Sequence, residues 1–160
     1  MKEDKEFYEK TKCLDWVTPN HLEIDKYYVD QLGMAELCIK KFDNARSLFD
    51  KLNCIKDAFT NINNNIKYSE GKNEEAGQDE IVPIFQYILI KAQPKRMRTN
   101  INYINCFLSE ELLNGQFGYF VSQLESSFSF IMNINCKFLN MSEEDFITNY
   151  ENAKKRHNIQ

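Results

Sequence analysis

Hydrophobic residues recur along the chain at intervals of three and four, and only five glycines and three prolines interrupt them. This spacing predicts α-helices, because residues three and four apart lie on the same face of a helix. The clearest stripe follows Asp43, from which we predict one long amphipathic helix. Its predicted core face consists of Leu48, Leu52, Ile55, Phe59 and Ile62. The pattern therefore predicts an all-α protein.

The segment after this stripe is polar and rich in asparagine. It has the sequence NNNIKYSEGKNEEAGQ, which contains turn-forming residues and few large apolar ones. Such a composition cannot bury enough apolar surface to form part of a core. We therefore predict a surface loop over residues 63–78.

The next segment, DEIVPIFQYILIKAQP, is apolar on nearly every side. In a soluble protein this composition is typical of a helix that other helices surround. Pro94 ends the pattern, because the residue before a proline disfavours the helical conformation. We predict that this segment is the central helix of the bundle.

A later helix, predicted from Phe117 to Ile134, carries two different stripes. Tyr119, Ser122 and Ser126 share a polar face. The opposite, core-facing stripe consists of Phe120, Leu124, Phe128 and Ile131. The shorter predicted elements are a polar helix over residues 4–14, a turn that Thr18 caps before Pro19, a helix over residues 99–108, a turn capped by Ser109 and closed by Gly115, and a final helix beginning at Ser142.

Composition restricts the possible function classes. The chain has 160 residues, of which 42% are hydrophobic and 13% aromatic, and this suits a single domain over residues 1–160. A net charge of −4 argues against nucleic acid as a partner. Five cysteines, an odd number in mostly apolar surroundings, indicate reduced thiols of a cytosolic protein. The longest apolar run, IVPIFQYILI, is too short to span a bilayer, so we expect no direct membrane insertion.

The chemistry of catalysis is sparse in this sequence. Its two histidines, His21 and His157, are far apart, so we predict neither a metal site nor a histidine-activated nucleophile. The chain also lacks a GxGxxG motif, a Walker loop and a CxxC pair, and we expect no cofactor. Periodicity and composition alone thus favour a helical binding module over an enzyme.

Six blocks of the sequence, taken in order, resemble one known family. They are LDWVTPNHL, FDKLNCIKDAF, GQDEIVPIFQYILIKAQP, MRTNINYINCF, LLNGQFGYFVSQLESSFSFI and MSEEDF. Over about residues 14–146 the chain is similar to the vacuolar-protein-sorting-nine (Vps-nine) domain family. The two most diagnostic features are the acidic pair before a proline-bearing apolar helix and the Gly-Tyr-aromatic start of the later helix.

The resemblance implies both a fold and a function. The fold would be a layered helical bundle of about six helices. The function would be guanine nucleotide exchange: promoting GDP release from Rab-five-type small GTPases in endosomal trafficking, by non-covalent displacement rather than chemical catalysis. The implied partner is such a Rab in its GDP-bound and nucleotide-free states. We accordingly expect a monomeric cytoplasmic protein at the periphery of early endosomes.

The resemblance also assigns site residues. Asp79 matches the family's catalytic aspartate, which reaches into the nucleotide site, and Tyr119 matches the tyrosine that contacts the GTPase switch regions. The predicted GTPase-binding residues are Pro83, Ser122, Gln78, Gln86, Gln123 and Ser126. The sequence departs from the family pattern at Gln78, where a small residue is usual, at Phe120, which replaces a second tyrosine, and at Gln123, which replaces an asparagine.

Each assignment has a simpler structural alternative. Without the resemblance, Asp79 is typical of an ordinary helix N-cap or first-turn acid, and Tyr119 of a tyrosine at the edge of a core. Two other functions also remain open. The substitutions at Gln78, Phe120 and Gln123 suit a Rab-binding scaffold that has lost exchange activity, and the amphipathic stripes alone suit a generic helical adaptor.

Overall fold

Eight α-helices form the parts of the chain that the computed structural model describes, namely residues 1–25, 30–70 and 76–160, and these parts contain no strand. The helices are α1 Lys2–Cys13, α2 Gly33–Asn44, α3 Leu48–Glu70, α4 Gln78–Ala92, α5 Met97–Phe107, α6 Glu110–Leu113, α7 Gln116–Met132 and α8 Glu143–Arg156. The all-α prediction is confirmed, although about six helices were expected. None of the described helices has the length and apolar character needed to cross a membrane.

The first correction concerns the long helix predicted from Asp43. The structure has two helices there, because α2 ends at Asn44 and α3 begins only at Leu48. Ser47 explains the new start: its hydroxyl accepts a hydrogen bond of 3.1 Å from the backbone N–H of Asp50, as an N-cap residue does. The predicted stripe from Leu48 to Ile62 therefore lies entirely on α3, and only the predicted start at Asp43 is wrong.

The second correction concerns the loop predicted over residues 63–78. Helix α3 continues to Glu70, so the loop prediction is wrong for residues 63–70. Ile66 is only 1% exposed and extends the core face of α3 by another turn. One asparagine, Asn63, accepts a hydrogen bond of 2.9 Å from the N–H of Ala76. Residues 71–75 of the predicted loop lie outside the described residues, and Gln78 is already the first residue of α4.

Helix α4 has the central position that its composition predicted. It packs against α1, α2, α3 and α7 and against the 3₁₀ helix Pro19–Leu22. The helix ends at Ala92, two residues before Pro94. Its buried apolar side chains are Ile84, Phe85, Ile88, Leu89 and Ile90. A helix that is largely buried beyond its first turn therefore supports the exposed residues of that turn.

The two predicted faces of α7 are also confirmed, with one shift. Leu124, Phe128 and Ile131 are buried, and Ser122 and Ser126 are exposed. Phe120 is only half-buried, because Val121, 4% exposed, occupies the core position beside it. Tyr119 lies at the edge of the core.

Helix α1 joins the bundle through charged side chains. Asp4 is 7% exposed and accepts hydrogen bonds from the backbone N–H of Thr99, at 3.0 Å, and from its hydroxyl. It thereby caps the first turn of α5, a role that no local side chain fills. Arg98 pairs with Glu3 at 3.0 Å and with Glu125 at 3.3 Å. These contacts connect α1, α5 and α7 in one unit.

Candidate functional site

An open pocket of about 280 Å³ lies beside the first turn of α4. Four of its seven lining residues are acidic, so it favours a positively charged group. The lining residues are Glu23, Ile24, Asp25, Asp79, Glu80, Pro83 and Ile84. We call this cavity the acidic pocket. It includes Asp79 and Pro83, two residues that the sequence assigned to the site.

Asp79 is the second residue of α4 and is exposed. Gly77 is the N-cap residue and offers no side chain to the first turn, whose N–H groups of Glu80 and Ile81 both donate to the Gly77 carbonyl. The Asp79 carboxylate makes no hydrogen bond or ion pair with any described residue. Its only local role is to face the positive end of the helix dipole, which stabilises an acid by about 0.3–1 kcal/mol. The carboxylate thus remains available to a partner.

Pro83 removes a backbone hydrogen-bond donor from the first part of α4. It lies inside α4, four residues after Asp79, and has no N–H with which to bond the Asp79 carbonyl. The first turn of α4 therefore lacks the hydrogen bond that the Asp79 carbonyl would ordinarily accept from the residue four positions later.

Tyr119 belongs to an aromatic cluster that links three helices. The ring centroid of Phe59 in α3 lies 4.5 Å from that of Phe85 in α4. The same centroid lies 5.8 Å from the ring centroid of Tyr119 and 5.2 Å from that of Phe120, both in α7. Such offset and edge contacts each contribute about 0.5–1.5 kcal/mol beyond their buried area. The cluster fixes the position of Tyr119 relative to the helix that carries Asp79.

The hydroxyl of Tyr119 has no hydrogen-bond partner among the described residues. Burial raises the pKa of this phenol above its ordinary value, so it is a neutral donor at physiological pH. Tyr119 is half-buried and is not one of the described residues that line the acidic pocket. The ring of Tyr119 can therefore pack in the cluster while its hydroxyl and exposed edge contact a partner.

Gly118 determines how α7 begins. A Cβ atom added at this position would lie 1.8 Å from the carbonyl oxygen of Leu113, the last residue of α6. No side chain other than hydrogen fits this approach. The Gly-Tyr sequence thus has a structural reason: the glycine lets α6 abut α7, and this places the following tyrosine.

The other predicted site residues are divided between α4 and α7. Gln78 is exposed at the start of α4, and Ser122 and Ser126 are exposed on α7, where Gln123 is half-buried. Gln86 is only 9% exposed, because α4 is surrounded on nearly every side at that level. A GTPase contact through Gln86 stays a prediction, and this side chain is the least exposed of the predicted site residues. Helices α4 and α7, which carry the remaining predicted residues, pack against each other.

Sequence reasoning missed two acidic residues of the pocket, Glu23 and Asp25. They follow the 3₁₀ helix Pro19–Leu22, which packs against α4. Glu23 has a left-handed backbone, with φ of 58°, and this conformation redirects the chain after the 3₁₀ helix. The residue types are visible in the sequence, but no periodic pattern places them beside Asp79.

Residues 32–136 match the family described as the vacuolar sorting protein 9 (VPS9) domain. The chain is 35% identical to the Rab5 GDP/GTP exchange factor of Bos taurus, with 91% of the chain and 30% of that protein aligned. It is 31% identical to vacuolar protein sorting-associated protein 9A of Arabidopsis thaliana, with 96% of the chain and 30% of that protein aligned. It is 30% identical to vacuolar protein sorting-associated protein vps901 of Schizosaccharomyces pombe, with 98% of the chain and 27% of that protein aligned.

The chain therefore spans less than a third of the length of these relatives. The matched residues 32–136 include α4 and α7, with Asp79 and Tyr119, whereas α1 and α8 lie outside them. Four of the six sequence blocks lie within the matched residues, whereas LDWVTPNHL and MSEEDF lie outside them. The chain belongs to the VPS9 domain family.

Proposed function

We propose that the chain, as one unit over residues 1–160, is a guanine nucleotide exchange factor for Rab5-type small GTPases. The observation that carries the proposal is the Asp79 carboxylate, which is exposed and makes no hydrogen bond or ion pair with the described residues. It is held at the first turn of a helix whose body is buried in the core. Similarity to a Rab5 GDP/GTP exchange factor supports the choice of partner.

The mechanism is electrostatic displacement. A small GTPase holds GDP through backbone N–H groups, a lysine that contacts the phosphates, and a magnesium ion. The Asp79 carboxylate would pair with that lysine and repel the phosphates, so that GDP loses part of its binding energy without any bond being broken. At about 4 Å and an effective dielectric near 20, one such contact contributes roughly 4 kcal/mol before desolvation is subtracted. This corresponds to about three decades in affinity.

The rest of the contact surface would come from the side where α4 and α7 pack. Tyr119 offers an unused hydroxyl and a partly exposed ring to the GTPase switch regions, and an aromatic side chain of this kind suits an interface anchor. Ser122, Ser126 and Gln123 would add polar contacts along α7. Gln78 and Pro83 would do so beside Asp79.

The decisive experiment is release of fluorescent GDP from a panel of purified Rab GTPases. We expect the chain to accelerate release from a Rab5-type GTPase and to leave Rabs of other classes at their intrinsic rates. The proposal fails if the chain accelerates release from none of them. A complex with the nucleotide-free Rab should form in parallel, since an exchange factor stabilises that state.

A second function follows from the departures at Gln78, Phe120 and Gln123. Phe120 packs 5.2 Å from Phe59, so the side chain that replaces a tyrosine is used for packing. A scaffold that binds the Rab without displacing nucleotide would show a complex in the same experiments but no acceleration. A generic helical adaptor would bind no nucleotide-free Rab at all.

Replacing Tyr119 by phenylalanine separates recognition from packing. The free energy of unfolding should change by less than about 0.5 kcal/mol, because the hydroxyl has no partner among the described residues. Exchange should fall about three- to tenfold, the net contribution of one hydrogen bond to the GTPase. Denaturant unfolding and GDP release measure the two effects. Tyr8→Phe on α1 is the matched control, and equal exchange by the two variants would contradict a role for the Tyr119 hydroxyl.

The proposed setting is the cytoplasm, at the periphery of early endosomes, with the chain acting as a monomer. The names of its relatives refer to vacuolar protein sorting and to Rab5, and the function proposed here belongs to the same trafficking steps. Gel filtration with light scattering would measure the oligomeric state. Live imaging of the tagged chain against an endosomal marker would test the location.

A further inference from the structure

A second pocket, of about 420 Å³, lies at the corner between α2 and α3, where α5 packs. Three of its eight lining residues are basic and none is acidic. The lining residues are Asn44, Ala45, Arg46, Lys51, Arg96, Thr99, Asn100 and Tyr103. We call it the basic pocket. In a chain with a net charge of −4, such a concentration of positive charge requires an explanation.

Lys51 is the most unusual residue of the basic pocket, because it is only 5% exposed. Its ammonium donates hydrogen bonds to the carbonyl of Ala45 and, at 2.7 Å, to Oδ1 of Asn100. Within the described residues it has no carboxylate within salt-bridge distance. A buried ammonium with only neutral partners is costly.

The nearby acids are already engaged elsewhere. Asp43 uses both carboxylate oxygens to accept from the backbone N–H groups of Lys95 and Arg96, at 2.9 and 2.8 Å. Arg46 and Arg96 are exposed, and neither guanidinium contacts a carboxylate of the described residues. Burial, followed by the charge of Arg96, lowers the pKa of Lys51. The charge of Asp43 acts in the opposite direction on this pKa without cancelling the shift, so the positive charge of the pocket is only partly compensated.

Asn100 provides a second, independent feature. The residue is 3% exposed, and its Nδ2 is buried without a hydrogen-bond partner in the described chain. The Lys51 ammonium bonds its Oδ1, so the orientation of the amide is defined and the donor cannot be exchanged for an acceptor. An unused donor in the wall of a cationic pocket indicates that the missing partner is an acceptor.

We propose that the basic pocket binds a phosphate group, supplied either by a membrane lipid headgroup or by a soluble phosphate. The forked guanidinium groups of Arg46 and Arg96 match the oxygens of a phosphate, and both stay charged at any physiological pH. Lys51 and Asn100 line the same pocket, and the unused Nδ2 donor of Asn100 would add a hydrogen bond to an anion that reached it. A more open pocket of about 500 Å³ shares Arg96 and Thr99 and adds Lys5 and Lys95, together with the largely buried Asp4, so further basic residues lie beside the site.

The basic pocket and Asp79 lie at opposite ends of α4. Asp79 is at the first turn of α4, whereas Lys95 and Arg96 follow the last turn of the same 15-residue helix. At 1.5 Å per residue the two ends are about 20 Å apart. An anionic surface bound at the basic pocket would therefore be held near the opposite end of α4 from the acidic pocket, leaving room there for a partner.

A purely structural role for Lys51 is the competing explanation. Ala45 follows the last turn of α2, and a cation at the carboxyl end of a helix stabilises it. That role needs Lys51 alone and assigns nothing to Arg46 or Arg96. The double variant Arg46→Gln/Arg96→Gln distinguishes the two explanations, because both side chains are exposed and their loss leaves the Lys51 contacts in place.

Two probes should be used with the whole chain: inorganic phosphate at constant ionic strength, followed by thermal unfolding, and vesicles, followed by cosedimentation. The vesicles are phosphatidylcholine alone, or with phosphatidylinositol 3-phosphate, or with phosphatidylserine at equal total charge. Lys137→Gln/Lys155→Gln removes the same charge from two other exposed positions and is the matched control. Removing both arginines should weaken binding to the anionic vesicles about 25-fold, at about fivefold for each arginine, while the control binds much as the native chain does.

Each outcome decides the proposal. Stabilisation by inorganic phosphate that the arginine variant loses supports a soluble phosphate, and stronger binding to phosphatidylinositol 3-phosphate than to phosphatidylserine supports a lipid headgroup. The proposal is overturned if neither probe binds the native chain, or if the arginine variant and the control lose binding equally. None of these measurements contains a GTPase, so their result is independent of the exchange activity proposed above.

Discussion

Replacing Asp79 by asparagine is expected to slow GDP release from a Rab5-type GTPase by about two to three orders of magnitude. The variant keeps the size of the side chain and removes its charge, and the charge is the group that would displace the phosphates. The estimate follows from a contact worth up to roughly 4 kcal/mol, reduced by the cost of taking the carboxylate out of water. Initial rates of fluorescent-GDP release at subsaturating concentrations measure the effect.

The fold itself should hardly respond to this change. Asp79 is exposed, and its carboxylate makes no hydrogen bond or ion pair with a described residue, so the interaction with the helix dipole is the main one lost. We expect the free energy of unfolding to fall by no more than about 1 kcal/mol. A loss of exchange with unchanged stability would therefore report on recognition and not on misfolding.

Glu80→Gln is the control for the general charge of the acidic pocket. Glu80 is the next residue along α4 and lines the same pocket. If negative charge near the pocket were enough, the two variants would lose exchange equally. We expect Glu80→Gln to retain exchange within about fivefold, since such a charge acts across solvent. Native activity in Asp79→Asn would refute the displacement mechanism.

Local patterns predicted the helices and the central position of α4, because burial on all sides is visible in the composition of the segment itself. They failed where the helical spacing of apolar residues and the local signals for a helix end or a loop disagree within a few residues. The helix predicted from Asp43 began before a break that only Ser47 marks, as the cap of α3, whereas the apolar stripe itself begins at Leu48. The polar run after Ile62 hid Ile66, which is 1% exposed and extends α3 to Glu70. The loop prediction followed the polar composition of this run, whereas the structure follows the helical spacing that places Ile66 on the core face of α3.

The site was predictable to a different degree. Asp79 and Tyr119 came from the family resemblance, and the structure gives each a physical setting: an unpaired carboxylate at a helix start and a hydroxyl at the edge of an aromatic cluster. Glu23 and Asp25 join the acidic pocket through a contact between distant segments. Neither the cap that Asp4 provides for α5 nor the burial of Lys51 has a local signature. Tertiary contacts of this kind leave no periodicity for sequence reasoning to use.

Replacing Gly118 by alanine should destabilise the fold and also impair the site. The new Cβ would lie 1.8 Å from the carbonyl oxygen of Leu113, and this is a backbone atom that cannot rotate away as a flexible side chain could. The corner between α6 and α7 must open, at a cost of about 2–3 kcal/mol that the higher helix propensity of alanine only partly offsets. In a chain of 160 residues this lowers the unfolding temperature by about 5–10 °C.

The same substitution at Gly115 provides the control for this corner. A Cβ atom there would lie 3.5 Å from the nearest atom, the Leu112 carbonyl oxygen, which is an ordinary contact. Gly115→Ala should therefore cost no more than about 1 kcal/mol, the difference between glycine and alanine at an N-cap position. Because Tyr119 directly follows Gly118, opening the corner also moves the tyrosine, and exchange by Gly118→Ala should fall at least tenfold, by roughly the effect of a displacement near 1 Å. Calorimetry and GDP release below the unfolding temperature measure both effects, and equal stability of the two alanine variants would contradict the proposed reason for the glycine.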